Sequence, residues 1–164
     1  MSRLDSFIRR LSAQRACLDA AIVAIGSREG CVLEIGLGNG RTFDHLREAM
    51  PGREIFVFDR QINAHPDCVP DEGHLFLGDF RETLPAATRR LGRRAILVHA
   101  DIGSGDVAAS RSLGAAIAPL IAAMAAPGAR ILSDQPLPSD TWQAEALPHG
   151  VEAGRYHLYW VDGA

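Results

Sequence analysis

Apolar positions recur along this chain in two alternating rhythms, and their order predicts an architecture before any single motif does. Leu4, Ile8, Leu11, Leu18, Ile22 and Ile25 fall on one stripe with Arg15 as its break, which predicts an amphipathic helix over 3–25 ended by Gly26. Val32, Leu33 and Ile35 then read as a buried strand, followed by apolar runs at 54–58, 74–77, 95–99 and 129–132. Helical stretches separate these runs: 42–50 stopped by Pro51-Gly52, 81–91 up to Gly92, and 106–126 with a kink expected at Pro119 before a turn at Pro127-Gly128. A short helix is expected near 140–147. Tyr156, Leu158 and Trp160 alternate with His157, Tyr159 and Val161 and predict a last strand over 155–161. This rhythm predicts an α/β protein: a doubly wound, mostly parallel sheet of about six strands in three α/β/α layers, with right-handed crossovers and ligands at the carboxyl ends of the strands.

With 164 residues, 47% of them hydrophobic, the chain suffices for one sizeable core, so a single domain over 1–164 is expected. The longest apolar stretch, 113–126, is interrupted by Pro119 and falls short of the roughly 20 residues a membrane span needs. The first 15 residues mix charges with apolar side chains and show no export signal, so a cytoplasmic protein with no membrane partner is expected. Cys17, Cys31 and Cys68 lack metal-ligand spacing and read as reduced packing residues.

Every basic residue is arginine: there are 17 Arg and no Lys. A phosphate-binding loop of the Gly-Lys-Ser/Thr type and Schiff-base chemistry both need lysine, so both classes are excluded. The net charge of −3 offers no broad electrostatic grip on nucleic acid, and the cluster Arg89, Arg90, Arg93 and Arg94 reads as solvated charge at a helix end.

The densest chemistry lies between 31 and 42, where the first strand ends in an acid and three glycines follow at every second position: Glu34, Gly36, Gly38, Gly40. A dinucleotide fingerprint would require a further glycine at 41, where Arg41 stands. The first five strands each deliver an acid to the carboxyl end of the sheet: Glu34, Asp59, Asp79, Asp101 and Asp134. An acid after an apolar strand is costly to bury unless it binds something. Asp59 follows Gly40 by 19 residues, where an open α/β sheet presents a carboxylate to a pair of ribose hydroxyls. His99 and Asp101, two apart on a strand, share a face, which makes His99 a candidate general base.

From Cys31 to Asp134, roughly two thirds of the chain, this pattern resembles the class I S-adenosylmethionine-dependent methyltransferases. The resemblance implies a cofactor-binding core at 31–134 flanked by the N-terminal helix at 1–26 and a C-terminal helix and strand at 135–164. It implies S-adenosyl-L-methionine held by Glu34, Gly36, Gly38, Asn39, Gly40 and Thr42 of the first motif, by Asp59 and Arg60 at the ribose, by Gly78, Asp79 and Phe80 at the adenine, and by Asp101. Glu34 resembles the acid that in the family reaches the cofactor's ammonium, often through water, its alternative being to cap the glycine turn. Asp101 and His99 are the implied catalytic groups, and Ser104, Asp134, Gln135 and Tyr156 the implied substrate contacts.

Asp101 with Asp134-Gln135 is also similar to the carboxylate pair of metal-dependent catechol-type enzymes, but those use a lysine near the fourth strand that this chain lacks, so no metal is expected. Ile102-Gly103-Ser104 does not match the Asn/Asp-Pro-Pro-Tyr of enzymes that methylate exocyclic amines. With no appended domain and no basic face, a small-molecule acceptor is expected, and the N-terminal stripe offers a homo-oligomer seam. The family usually ends in a helix and two strands, and only one such strand is expected here. Two other readings stay open at this point: a non-catalytic binder of S-adenosylmethionine or a nucleoside, and a nicotinamide-dependent oxidoreductase.

Overall fold

The computed structural model describes residues 2–163; Met1 and Ala164, at the outer ends of the expected segments, lie outside them. Helix α1 (Arg3–Ile25) is followed by β1 (Cys31–Ile35), α2 (Arg41–Ala49), β2 (Ile55–Asp59), β3 (Leu75–Leu77), α3 (Phe80–Leu91), β4 (Ala95–Ala100), α4 (Val107–Ala122), β5 (Ala125–Ser133), β6 (Trp142–Ala144) and β7 (His157–Val161). The strands form one sheet in the order β3-β2-β1-β4-β5-β7-β6. The first five are parallel, and β7 runs antiparallel between β5 and β6. β1 and β4 are buried along their whole length, as strands covered on both faces must be. α1 and α2 cover one face, where Leu18, Ala21 and Leu46 meet Val32, Val57 and Leu132; α3 and α4 cover the other through Leu84, Ile117 and Ile121. Among the described residues no helix is long and apolar enough to cross a membrane.

The sheet has seven strands where about six were expected, because the helix expected near 140–147 is absent and β6 stands there instead. Ala144, Glu145 and Leu147 are good helix formers, but Trp142 decides the outcome. Its ring is buried, its Nε1 donates to the Leu137 carbonyl at 2.9 Å, and the segment pairs with β7. The chain thus ends in the two strands of the full family pattern, without the helix.

The alanine-rich end of α4 gives a similar correction. The helix stops at Ala122 rather than 126, and Ala125 already pairs with Ala95 of β4. Pro127-Gly128 lies inside β5 as an irregularity of the β4–β5 register rather than as the turn before it.

α1 was expected to bury Leu4, Ile8, Leu11, Leu18, Ile22 and Ile25, yet it buries Ala13, Gln14, Cys17, Leu18, Ala21 and Ile25, while Leu4 and Ile8 are 66% and 52% exposed. The cause is length. Twenty-three residues of helix span roughly 34 Å, and the five or six residues of β1 and β4 only about 17–20 Å. α1 starts at the Ser2–Asp5 capping box, and its first turns overhang the carboxyl edge of the sheet.

Candidate functional site

The chain leaves β1 toward β2 on one side and β4 toward β5 on the other, so a crevice opens where the strand order reverses. A cleft of about 480 Å³ lies there. It is lined by Gly36 and Gly38 after β1, Asp59 and Arg60 at the end of β2, Phe80 and Arg81 at the start of α3, and the segment from Asp101 to Ser104 after β4.

The three glycines of the first loop are small for different reasons. A Cβ on Gly36 would lie 2.2 Å from the Asp101 carbonyl oxygen, and one on Gly40 would lie 2.5 Å from Cys68 Cβ, so both are forced by packing of the protein on itself. A Cβ on Gly38 meets nothing within 4 Å. Gly38 has φ +52 and presents bare backbone to the cleft. Asn39 is exposed beside it.

Asp59 ends β2 at the rim. Its Oδ2 accepts from the Gly38 N–H at 3.0 Å and its Oδ1 from the Arg60 N–H at 2.6 Å. Oδ1 also accepts from the Gln61 N–H at the long distance of 3.4 Å, so Oδ2 is the oxygen with a lone pair open to a ligand, and Oδ1 becomes available where that long bond yields. Asp79 caps α3 by accepting from the Arg81 N–H at 2.8 Å. That bond, helped by the Arg81 and Arg60 guanidinium groups, holds its carboxyl below the usual range. Asp79 and Gly78 lie outside the cleft lining, whereas Phe80 and Arg81 belong to it.

Just after β5, Asp134 accepts from the backbone N–H groups of Ile102 and Gly103, each at 2.9 Å, and from Gln135 Nε2 at 3.1 Å. Burial pushes its carboxyl pKa up. Asp134 and Gln135 therefore serve the loop after β4 and do not line the cleft, whereas Ser104 does. A Cβ on Gly103 would lie 2.2 Å from Asp134 Oδ2. Gly103→Ala is expected to displace that carboxylate and to cost about 1–2 kcal/mol through its strained hydrogen bonds, read as a lower urea midpoint with unchanged slope.

Beneath the cleft lies a buried polar chain. Glu34 and His99 are both wholly buried. Thr42 Oγ1 donates to Glu34 Oε1, and His99 Nδ1 donates to Glu34 Oε2 at 2.7 Å. Burial alone would lower the His99 pKa, but the charge and hydrogen bond of the Glu34 carboxylate, together with the charges of Asp101 and Asp134, outweigh it and the value is raised. The other ring nitrogen bonds the Tyr156 hydroxyl, itself buried and with its phenol pKa pushed well up by burial. Gln14 Nε2 reaches that hydroxyl at 3.4 Å and donates to Asp101 Oδ2 at 2.9 Å; Arg10 Nη1 donates to Asp101 Oδ1 at 3.4 Å.

Glu34, Thr42, His99 and Tyr156 are thus brought together behind the cleft, and none of them lines it. The side chains of Glu34, His99 and Tyr156, 0%, 0% and 2% exposed, stand beneath the cleft surface and not on it. Of the five strand-end acids, Asp59 and Asp101 alone line the cleft.

Sequence reasoning missed Arg10 and Gln14. The signal was present in the α1 stripe, whose gap between Leu11 and Leu18 is filled by Gln14 at four residues before Leu18, a buried polar residue on an apolar face. Arg10 precedes it by one turn.

A family model described as S-adenosyl-L-methionine methyltransferase matches residues 1–161. The crystal structure of an S-adenosyl-L-methionine methyl transferase from Silicibacter pomeroyi DSS-3 is 44% identical over 98% of this chain and 99% of that chain, with a TM-score of 0.93. Two more distant structures share the fold alone. The MycE methyltransferase from the mycinamycin biosynthetic pathway, in complex with Mg and SAH, is 20% identical over 95% of this chain and 47% of that chain, with a TM-score of 0.57. The 16S rRNA (adenine(1408)-N(1))-methyltransferase from Catenulisporales acidiphilia is 18% identical over 89% of this chain and 91% of that chain, with a TM-score of 0.55. No curated protein sequence matches the chain.

Proposed function

Because the chain belongs to the S-adenosyl-L-methionine methyltransferase family, we propose that it transfers the methyl group of S-adenosyl-L-methionine to a small-molecule acceptor. The observation that carries the cofactor assignment is the pair of carboxylates at the cleft, Asp59 and Asp101, with the bare backbone of Gly38 in the same lining. A ligand with a diol at one end and positive charge at the other suits that pair: a carboxylate accepts from both hydroxyls at once, and a second carboxylate stabilises the cation. Asp59 and Arg60 would hold the ribose, Phe80 would cover the adenine, and Asp101 would face the cationic end. When bound, the cofactor supplies a methyl carbon already activated by its sulfonium. The chain's own task is alignment and exclusion of water, which the walls of the cleft from Gly36 and Gly38 to Ile102 and Ser104 perform.

A small acceptor is favoured over RNA by the net charge of −3. The test incubates the protein with methyl-labelled S-adenosylmethionine and either a metabolite extract or 16S rRNA. Label in an extractable small molecule supports the reading. Label in the RNA alone, or in neither, overturns it.

Gly38→Val is expected to weaken S-adenosylhomocysteine binding by at least 30-fold, because its branched side chain fills cleft space that is open now. The valine at a positive φ costs about 1–3 kcal/mol of stability. Calorimetric titration alongside thermal melting separates the two effects.

A further inference from the structure

We propose that Gln14 is a positioning residue for the cofactor's cationic end: it fixes the Asp101 carboxylate in the cleft, and is itself fixed from behind by Tyr156, His99 and Glu34. This rests on the reading of the cleft as the S-adenosylmethionine site. Asp101 ends no helix and caps none; both of its oxygens are held from α1, Oδ2 by Gln14 at 2.9 Å and Oδ1 by Arg10 at 3.4 Å.

The two contacts are unequal. Arg10 is half exposed, with its side chain at 49%, on a bond at the outer limit of length, whereas Gln14 is 4% exposed. The buried amide is therefore the one that sets the orientation, and the oxygen under Arg10 is the one a ligand cation can take over. Gln14 has two amide hydrogens, one for Asp101 and one for the Tyr156 hydroxyl. That hydroxyl is bonded to His99 Nε2, and His99 is anchored through Nδ1 to Glu34. Every member of this chain is at least nine-tenths buried except Asp101, so the order of the buried end is delivered to a single carboxylate at the surface of the cleft.

The fixed geometry matters because a carboxylate left free to rotate pays side-chain entropy on each binding event, and a held one does not. α1 therefore belongs to the site as well as to the fold: its overhang carries Arg10, and Gln14 stands where the overhang meets the sheet.

The test compares two ligands on the wild type, Gln14→Met and Gln14→Asn. Methionine has the length of glutamine and no donor; asparagine keeps the donor on a shorter arm. S-adenosylhomocysteine carries the amino-acid end, whereas 5′-methylthioadenosine has the same nucleoside without it. Gln14→Met is expected to bind S-adenosylhomocysteine about 10-fold more weakly and methylthioadenosine within 2-fold of wild type, with Gln14→Asn recovering part of the loss. Tyr156→Phe, which removes only the hydroxyl behind Gln14, is expected to lose 3- to 5-fold for S-adenosylhomocysteine alone. Equal losses for both ligands would reduce Gln14 to a packing residue and overturn the proposal, as would unchanged affinity for both in Gln14→Met. If neither ligand binds the wild type, it is the cofactor site itself that is misplaced.

Discussion

Asp59→Ala is expected to raise the dissociation constant for S-adenosylhomocysteine by at least 100-fold, the largest effect on binding of any single side chain in the cleft. Hydrogen bonds to a charged group contribute roughly 1.5–3 kcal/mol each, and a ribose offers two hydroxyls, so loss of both exceeds the 2.7 kcal/mol or so that 100-fold represents. The same carboxylate accepts from the Gly38 N–H at 3.0 Å, so its removal also loosens the backbone on which the ligand lies. Asp59→Asn separates these contributions: it keeps one acceptor oxygen but loses the charge, and is expected to fall between alanine and wild type. Isothermal titration is the measurement. Wild-type affinity in Asp59→Ala would remove the ribose from this rim.

The largest effect on stability is expected at His99. His99→Leu leaves the fully buried Glu34 carboxylate with Thr42 alone, and breaking a buried pair by removing one partner costs about 3–5 kcal/mol. Replacing both Glu34 and His99 by leucine is expected to cost less than His99→Leu, since no charge is then stranded; chemical denaturation reads both.

The pair also predicts a pH dependence with a definite sign. Burial pulls the folded-state pKa of His99 down, but the Glu34 carboxylate, with Asp101 and Asp134, carries it above its ordinary value of 6.5. Its contribution is therefore fully present below pH 6.5 and is lost as pH rises through the raised folded value. The stability difference between wild type and His99→Leu should shrink across that window. A difference that grows with pH would mean that the imidazole is held neutral.

What was legible in the sequence followed from periodicity, and what was hidden followed from competition between local and distant partners. The buried runs of β1 and β4 admit only one reading, and an acid at the end of each strand is visible because strands are short and end abruptly. The role of each acid was not visible. Asp134 turns inward to the N–H groups of Ile102 and Gly103, Asp79 caps α3, and Glu34 is buried against His99, because a carboxylate at a strand end takes the nearest donor and the sequence does not say which donor the fold will bring. Ala144, Glu145 and Leu147 carry helix propensity worth only tenths of a kcal/mol each, less than the burial of Trp142 against its neighbours. Gln14 and Arg10 read as ordinary helix polarity until the overhang of α1 is known.

The insertion of β7 between β5 and β6 has a consequence for how this molecule comes into being. β6 precedes β7 in the chain yet joins the sheet only through it, so this edge of the sheet waits for β7 to dock on β5. Tyr156 immediately precedes β7, and the hydroxyl that completes the hydrogen bonds of His99 arrives with it. A chain in which β7 has not yet docked would carry the glycine loop and Asp59 yet leave His99 without the Tyr156 hydroxyl, so the docking of this strand and the support of the Asp101 carboxylate are completed in one event.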